Sequence, residues 1–335
     1  MIVVLVETDA QGIRLVSRET LTFARRMAAR SGDQPVHAAV VGPLEDGIES
    51  ALMSQLGEQG VVALHHAHDD RAHDDRLSAY AAAAYAAAVV DLVRSESAGT
   101  LLAAGTPRGN EILAHVATRL QVAMSANVVE VDSTDPLVVT RQVVGGAALE
   151  EMRLGDKVAV LSVAGHACDP EPAEKPTVPE LVTYSPPIED ADLVARVARV
   201  EALEVDDSAA LTTARVVVGA GRGAGGPDGF KDLLELTGLL GGVLGVSRVV
   251  TSLGWRPHYE QVGQTGSRIS PDLYVPCGIS GAIQHWAGCQ SAKTILAINT
   301  DPDAPMVTKA HYAVIGDLHE ILPAINEELR SRNPK

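Results

Sequence analysis

Short apolar runs alternate along the chain with stretches whose apolar positions recur every three or four residues. Ile2–Glu7, Val36–Val41, Val61–Leu64 and Thr100–Ala104 read as strands. The spacing between them predicts helices over Thr20–Arg30, Ile48–Leu56 and Leu77–Val93; in the last, Leu77, Ala81, Ala84, Ala88 and Leu92 share a face. Such alternation predicts an α/β fold, a mostly parallel sheet flanked by helices. The turn Gly105-Thr-Pro-Arg-Gly109 opens a further helix to Leu120, with Thr106 as N-cap and Pro107 at the first helical position. A turn of this kind can hold an anion on its free N–H groups, but it contains no Lys and no second glycine pattern, and it reads as an ordinary capped helix start.

Past Leu120 the pattern turns β-rich, at Asn127–Val131, Leu137–Val144 and Lys157–Val163, extending the sheet or adding a β layer. Cys168–Pro187 is rich in Pro and acidic residues and reads as an extended loop, and the branched valines of Leu193–Glu204 predict a strand. Small polar residues at Asp206–Ala210 mark a boundary between a domain over 1–205 and a second α/β domain over 206–335. In the second, strands are expected at Arg215–Val218, Leu273–Cys277, Thr294–Asn299 and Tyr312–Ile315. Helices are expected at Asp228–Leu240, Ser280–Gly288 (Ser280 as its cap) and Leu318–Arg330.

A length of 335 residues accommodates these two domains. Aromatic residues are only 3%, so Ala, Val and Leu must fill the cores. The formal net charge of −16 argues against nucleic-acid or anionic-membrane binding and suits a partner with a basic patch. Cys168, Cys277 and Cys289 lack zinc-like spacing and fit a reducing compartment. With no basic leader before Ile2 and no 18-residue apolar run, a cytoplasmic location is expected, without signal or transit peptide. His65, His66, His68 and His73 with Asp69, Asp70, Asp74 and Asp75 carry metal-ligand chemistry, but the stretch reads as a loop in which Asp74 or Asp75 caps the next helix, and no metal is expected.

The candidate chemistry lies in the second domain. Gly219-Ala-Gly-Arg-Gly-Ala-Gly-Gly226 contains GxGxxG as Gly221, Gly223 and Gly226, between a strand and a helix. The acidic residue that an NAD site needs about twenty positions later is missing, so a pyrophosphate of some other dinucleotide fits better. Arg248 sits among valines and is expected to be buried or cleft-facing with an anionic partner; Trp255 and Tyr259 are expected to fill core. Gln261–Gly266, Gly278–His285 and Ile298–Asp301 are dense in Gly, Gln, Ser, Thr, His and Asn at the ends of apolar runs. Strand ends of an α/β sheet share one rim, where ligands bind, and Gln284 and His285 are placed to face one there. Nucleophile-elbow, Walker, zincin and paired-carboxylate patterns are absent, which favours redox chemistry carried by a cofactor.

QVGQTG at 261–266, GISGAIQH at 278–285 and AINTDPDAP at 297–305 resemble the α subunit of the electron-transfer flavoproteins (the FixB/EtfA type), and the resemblance is strongest from Arg215 onward. It implies an extended FAD in the C-terminal domain and a heterodimer with a β subunit that holds AMP. It places Arg222 near the pyrophosphate, Arg248 of the Ser247–Arg248 pair beside the isoalloxazine, and Gln261, Val262, Gln264, Thr265 and Gly266 around the flavin, with the Thr265 hydroxyl at N5. Ser280 and Gln284 would lie near the phosphates or ribityl chain, His285 on the O2 side of the ring, and Asn299 and Asp317 at the adenosine end. Arg248, Thr265 and His285 would tune the flavin toward an anionic semiquinone. The implied role is a redox carrier rather than an enzyme with a small-molecule substrate. It would take electrons from flavin dehydrogenases of the acyl-CoA dehydrogenase type, as in fatty acid β-oxidation, and deliver them to a quinone-linked oxidoreductase. The Asp206–Ala210 segment would be the hinge on which the FAD domain swivels. Alternatives are the α subunit of an NADH-dependent bifurcating flavoprotein, an NAD-binding enzyme of related fold, and a nucleotide-binding regulatory protein. Departures from the family pattern are Val249–Gly254 after the Ser-Arg pair, Ser267 and Cys277.

Overall fold

The structure is a computed structural model that describes residues 1–45, 47–68, 76–144, 148–165, 167–200 and 208–332. The chain divides into two compact units, Met1–Glu201 and Ala202–Lys335.

In the first unit the elements run β1 (Ile2–Leu5), a small hairpin of β2 (Thr8–Asp9) and β3 (Gly12–Ile13), α1 (Leu15–Arg30), β4 (Val36–Val41), α2 (Glu49–Glu58) and β5 (Ala63–Ala67). They continue with α3 (Ala82–Ser95), β6 (Thr100–Ala104), α4 (Pro107–Leu120), β7 (Met124–Thr134), β8 (Leu137–Val143), β9 (Ala148–Leu154), β10 (Ala159–Val163) and β11 (Glu180–Tyr184). Among the described residues, nine strands form one sheet in the order β11-β5-β4-β1-β6-β10-β7-β8-β9. It is parallel from β11 to β7 and closes with the antiparallel β7-β8-β9 ribbon. Successive strand residues face opposite sides, so Ile2 and Val4 enter one core layer while Val3 and Leu5 enter the other. The Ala-rich α3 packs flush on the second layer, consistent with a core short of aromatics.

The second unit contains α5 (Ser208–Thr213), β12 (Val216–Ala220), α6 (Lys231–Leu239), β13 (Val243–Val246), α7 (Arg248–Ser252) and β14 (Leu273–Cys277). It ends with α8 (Ile283–Cys289), β15 (Thr294–Asn299), α9 (Pro305–Thr308), β16 (Tyr312–Ile315) and α10 (Leu318–Arg332). Its five described strands are all parallel, ordered β13-β12-β14-β15-β16. Val218 and Ala220 face one core layer and Val217 the other. The expected α/β class with parallel-rich sheets flanked by helices is present in both units.

Several local expectations are corrected. Helix α3 starts at Ala82 rather than Leu77, and its N-cap position is Ala81, not Asp74 or Asp75, which lie outside the described residues. His65 and His66 belong to strand β5, not to a loop. Glu180–Tyr184, inside the segment expected to be a loop, pairs in parallel with β5 as the edge of the sheet. The described part of the expected Leu193–Glu204 strand is not one: Asp190–Leu193 is a single 3-10 turn, and Arg196–Val200 has no regular structure. Val194 and Val200 are 86% and 78% exposed, so its valines have no sheet to bury them. Residues 201–204, and Asp206 and Asp207 of the Asp206–Ala210 boundary, lie outside the described residues. Among the described residues no helix is long and apolar enough to cross a membrane.

Candidate functional site

Strand β12 enters its sheet first, β13 joins on one side and β14 on the other, so the chain reverses direction across the sheet between β12 and β14. Open α/β sheets bind ligands beyond the carboxyl ends of the strands at this reversal. A cavity of about 880 Å³ lies there. Every described strand of the unit contributes to its wall from its carboxyl end: Arg222 and Gly223 after β12, Ser247 and Arg248 after β13, Ser280 after β14, Asn299 at the end of β15 and Asp317 after β16.

The remaining wall comes from the loop Gln261–Thr265 and from Gln284 and His285. That loop is pinned at both ends. The Val262 amide donates to the Val246 carbonyl at 2.9 Å, and the Gln264 amide donates to the Gln284 carbonyl at 2.9 Å. Gly288 and Gly263 let α8 approach it backbone to backbone, since a Cβ on Gly288 would meet Gly263 Cα at 2.5 Å. Buried Gln261 is a bridge: its Oε1 accepts from the Thr251 hydroxyl at 2.7 Å and its Nε2 donates to Thr265 Oγ1 at 2.9 Å. The Thr265 oxygen is thus engaged as an acceptor, leaving its O–H free to donate.

His285 is 6% exposed, and burial lowers its pKa to about 4. The Tyr274 hydroxyl lies 2.7 Å from its Nε2; the Val262 carbonyl also acts on the ring, and the buried Nδ1 has no well-aligned hydrogen-bond partner among the described residues. A buried polar atom left open in the wall of a cavity is a place for a ligand atom.

All the sequence-predicted site residues line this one cavity except Gly266. Gly266 shapes the turn instead: its amide donates to the Gly263 carbonyl at 3.1 Å, and a Cβ would meet the Gln261 carbonyl oxygen at 2.2 Å. Arg248 is cleft-facing but exposed, and among the described residues no carboxylate pairs with it. Its charge therefore remains available to the cavity. Trp255 packs partly buried on the core, whereas Tyr259 is a surface residue at 37% exposure. Ser280 does not cap α8, whose N-cap position is Ala282; the Ser280 carbonyl instead accepts from the Met306 amide at 3.1 Å. Sequence reasoning missed Ser252, Leu253 and His319 in the wall. The i, i+4 spacing from Arg248 to Ser252 is the only signal that points to the first of these.

The glycine run after β12 has a packing role beside any ligand role. A Cβ on Gly221 would meet the Gly278 carbonyl oxygen at 2.1 Å, and one on Gly223 would meet Gly278 Cα at 2.7 Å. Small residues bring the two strand ends together, and Gly278 itself turns at φ +62°.

In the first unit the comparable reversal lies between β1 and β6. Thr106 caps α4 as expected, its side chain accepting from the Gly109 amide at 2.9 Å. Its hydroxyl donates to the Glu7 carboxylate, which also pairs with Arg14 at 3.0 Å. The anion at that turn is the chain's own side chain. His65 lies 2.9 Å from His37, ring nitrogen to ring nitrogen, and His66 lies 2.8 Å from the Gly42 carbonyl. His73, Asp69, Asp70, Asp74 and Asp75 lie outside the described residues, and among those described no group of three or more potential ligands gathers.

Residues 2–207 match the family model "Electron transfer flavoprotein domain", and residues 210–290 match "Electron transfer flavoprotein FAD-binding domain". The electron transfer flavoprotein subunit alpha of Mycobacterium leprae is 33% identical over 98% of this chain and 98% of its own length. That of Thermoanaerobacterium thermosaccharolyticum is 34% identical over 72% of this chain and 74% of its own. Protein FixB of Azorhizobium caulinodans is 36% identical over 73% and 67%. The chain belongs to the electron transfer flavoprotein α-subunit family. The match to the family's FAD-binding domain spans β12 to α8 and so includes the glycine run, the Gln261–Thr265 loop and His285. It stops before Asn299 and Asp317, whose place in the site rests on the cavity they line. The donor set of the cavity fits the family's cofactor. Arginines suit a pyrophosphate and a carbonyl edge, hydroxyls and amides suit ring nitrogens, and the buried imidazole of His285 adds a further polar group.

Proposed function

We propose that this chain is the FAD-carrying α subunit of a heterodimeric electron-transfer flavoprotein. The observation that carries the reading is the cavity at the β12/β14 reversal, lined by Arg248, unpaired among the described residues, by a positioned Thr265 hydroxyl and by the buried imidazole of His285. FAD, when bound, supplies redox chemistry in one- and two-electron steps. The chain's residues hold and bias it. Arg222 neutralises the pyrophosphate, and Ser280 and Gln284 bind the linking chain. Asn299 and Asp317 meet the adenosine end; Asn299 is held ready by its donation to the Ile279 carbonyl at 3.0 Å. Ser247, Gln264 and the Val262 backbone close around the ring. The Thr265 O–H donates to a ring nitrogen. Arg248 and His285 place positive charge and a hydrogen-bond donor where reduction adds negative charge, which raises the affinity for the first electron.

The partners follow from the same reading: a β subunit holding AMP, electron-donating flavin dehydrogenases of the acyl-CoA dehydrogenase type, and a quinone-linked acceptor, in the cytoplasm. The Asp206–Ala210 segment would join a β-subunit-contacting domain over 1–205 to the FAD domain. The deciding experiment is purification of the full chain with its β subunit, identification of the cofactor released by acid, and stepwise dithionite reduction. Released FAD, reduced with a resolved one-electron phase, is the expected result. A colourless protein, or one releasing NAD, overturns the reading.

A further inference from the structure

The hydrogen bond between Tyr274 and His285 joins a fully buried strand residue to a buried polar side chain of the cavity wall. Three elements make it. Tyr274 is on β14 and His285 on α8, and Gly219 on β12 leaves the room that the tyrosine needs, because a Cβ there would meet Tyr274 Oη at 2.4 Å.

The bond can be made in two ways. If the phenol donates to Nε2, the imidazole proton must sit on Nδ1, where the Val262 carbonyl favours it, and one polar group, the Nδ1–H without a well-aligned partner, is left for the cavity. If Nε2–H donates to the phenol oxygen, two are left over: the phenol proton and the Nδ1 lone pair. Among the described residues Tyr274 Oη has no second partner, and it lies in a side chain with 0% exposure. An orphaned buried O–H costs about 1–3 kcal/mol, so the first arrangement wins. Burial also holds the phenol far above its usual ionisation range and the imidazole below its own, so both groups are neutral and the choice is between tautomers alone.

We infer that Tyr274 is a positioning residue: it fixes His285 as the Nδ1–H tautomer, so that the ligand of the cavity meets a hydrogen-bond donor and not a lone pair. The consequence for the flavin rests on the function proposed above; the tautomer itself does not. A donor stabilises negative charge on a facing carbonyl oxygen, whereas a lone pair repels it. Without Tyr274 Oη, Nε2 would be the unpaired atom and the proton would be free to move to either nitrogen.

Nitrogen-15 NMR of the full chain labelled at histidine reads this directly, because protonated and bare ring nitrogens resonate apart. The His285 signals are assigned by their loss in His285→Gln. The expected wild-type result at neutral pH is a protonated Nδ1 and a bare, hydrogen-bonded Nε2. In Tyr274→Phe, which keeps the ring volume, the two nitrogens should average toward a mixture. A wild-type chain with the proton on Nε2, or a Tyr274→Phe chain with unchanged signals, overturns the assignment. The wild-type measurement needs no variant and decides the matter even if the substitution impairs folding. In the FAD-loaded protein, Tyr274→Phe should weaken the first-electron equilibrium about tenfold, or about 59 mV for one electron. A chain that takes up no FAD overturns the functional reading, while the NMR result still decides the tautomer.

Discussion

His285 and Arg248 differ in how they reach the same cavity. Arg248 is exposed and keeps its full charge, whereas His285 is buried and neutral. Arg248→Ala should therefore lower the first-electron potential more than His285→Ala. A charge-assisted hydrogen bond contributes about 1.5–3 kcal/mol and a neutral one about 0.5–1.5 kcal/mol. Reductive titration of both variants checks the order, and equal shifts would contradict it. His285 also makes stability depend on pH. Its pKa is lowered from 6.5 to about 4 by burial, with the Val262 carbonyl acting the other way. The unfolded chain therefore takes up the proton first. Stability is lost as pH falls below about 6.5, and the loss levels off below about 4, after reaching about 3 kcal/mol. Urea midpoints at neutral and mildly acidic pH should show this slope in the wild type and a flatter one in His285→Gln.

At the scale of elements, the Gln261–Thr265 loop is held by contacts from β13 and α8, and its precision depends on small residues. Gly288→Ala drives a methyl into Gly263 backbone and should cost about 1–3 kcal/mol, read as a lowered Tm. Thr106→Ala removes a satisfied N-cap in the other unit and should cost about 1 kcal/mol without touching the cavity. The strands β4, β6, β14, β15 and β16 are legible in the sequence because each is a short apolar run bounded by polar or glycine residues. The rim residues are legible because they end those runs. Edge strand β11 is not, because Glu180–Tyr184 follows a Pro-rich stretch and acquires its form only by pairing with β5. Strand β9 is mostly exposed and charged, so it carries no burial pattern to read. The bridging role of Gln261 is equally hidden, since its partners are set by the fold of the loop and not by spacing.

At the scale of the molecule, a net charge of −16 on 335 residues gives a long-range field that acts on partners before contact. Association with a redox partner bearing a basic patch should slow as ionic strength rises, because the Debye length shrinks from about 10 Å at 0.1 M to about 3 Å at 1 M. Stopped-flow electron transfer across a salt series measures this, and a flat response would place the contact on uncharged surface.

The two sheets reach the same kind of topological reversal and treat it differently. Both rims carry a cavity, about 880 Å³ beyond β12 and β14 and about 220 Å³ beyond β1 and β6, but in the smaller one the Glu7 carboxylate is bonded to Thr106 at the mouth of α4. Any phosphate entering there must displace a competitor that is covalently tethered and cannot be diluted away. An anion approaching that turn therefore meets a like charge, which Glu7→Gln would remove without changing the side chain's size.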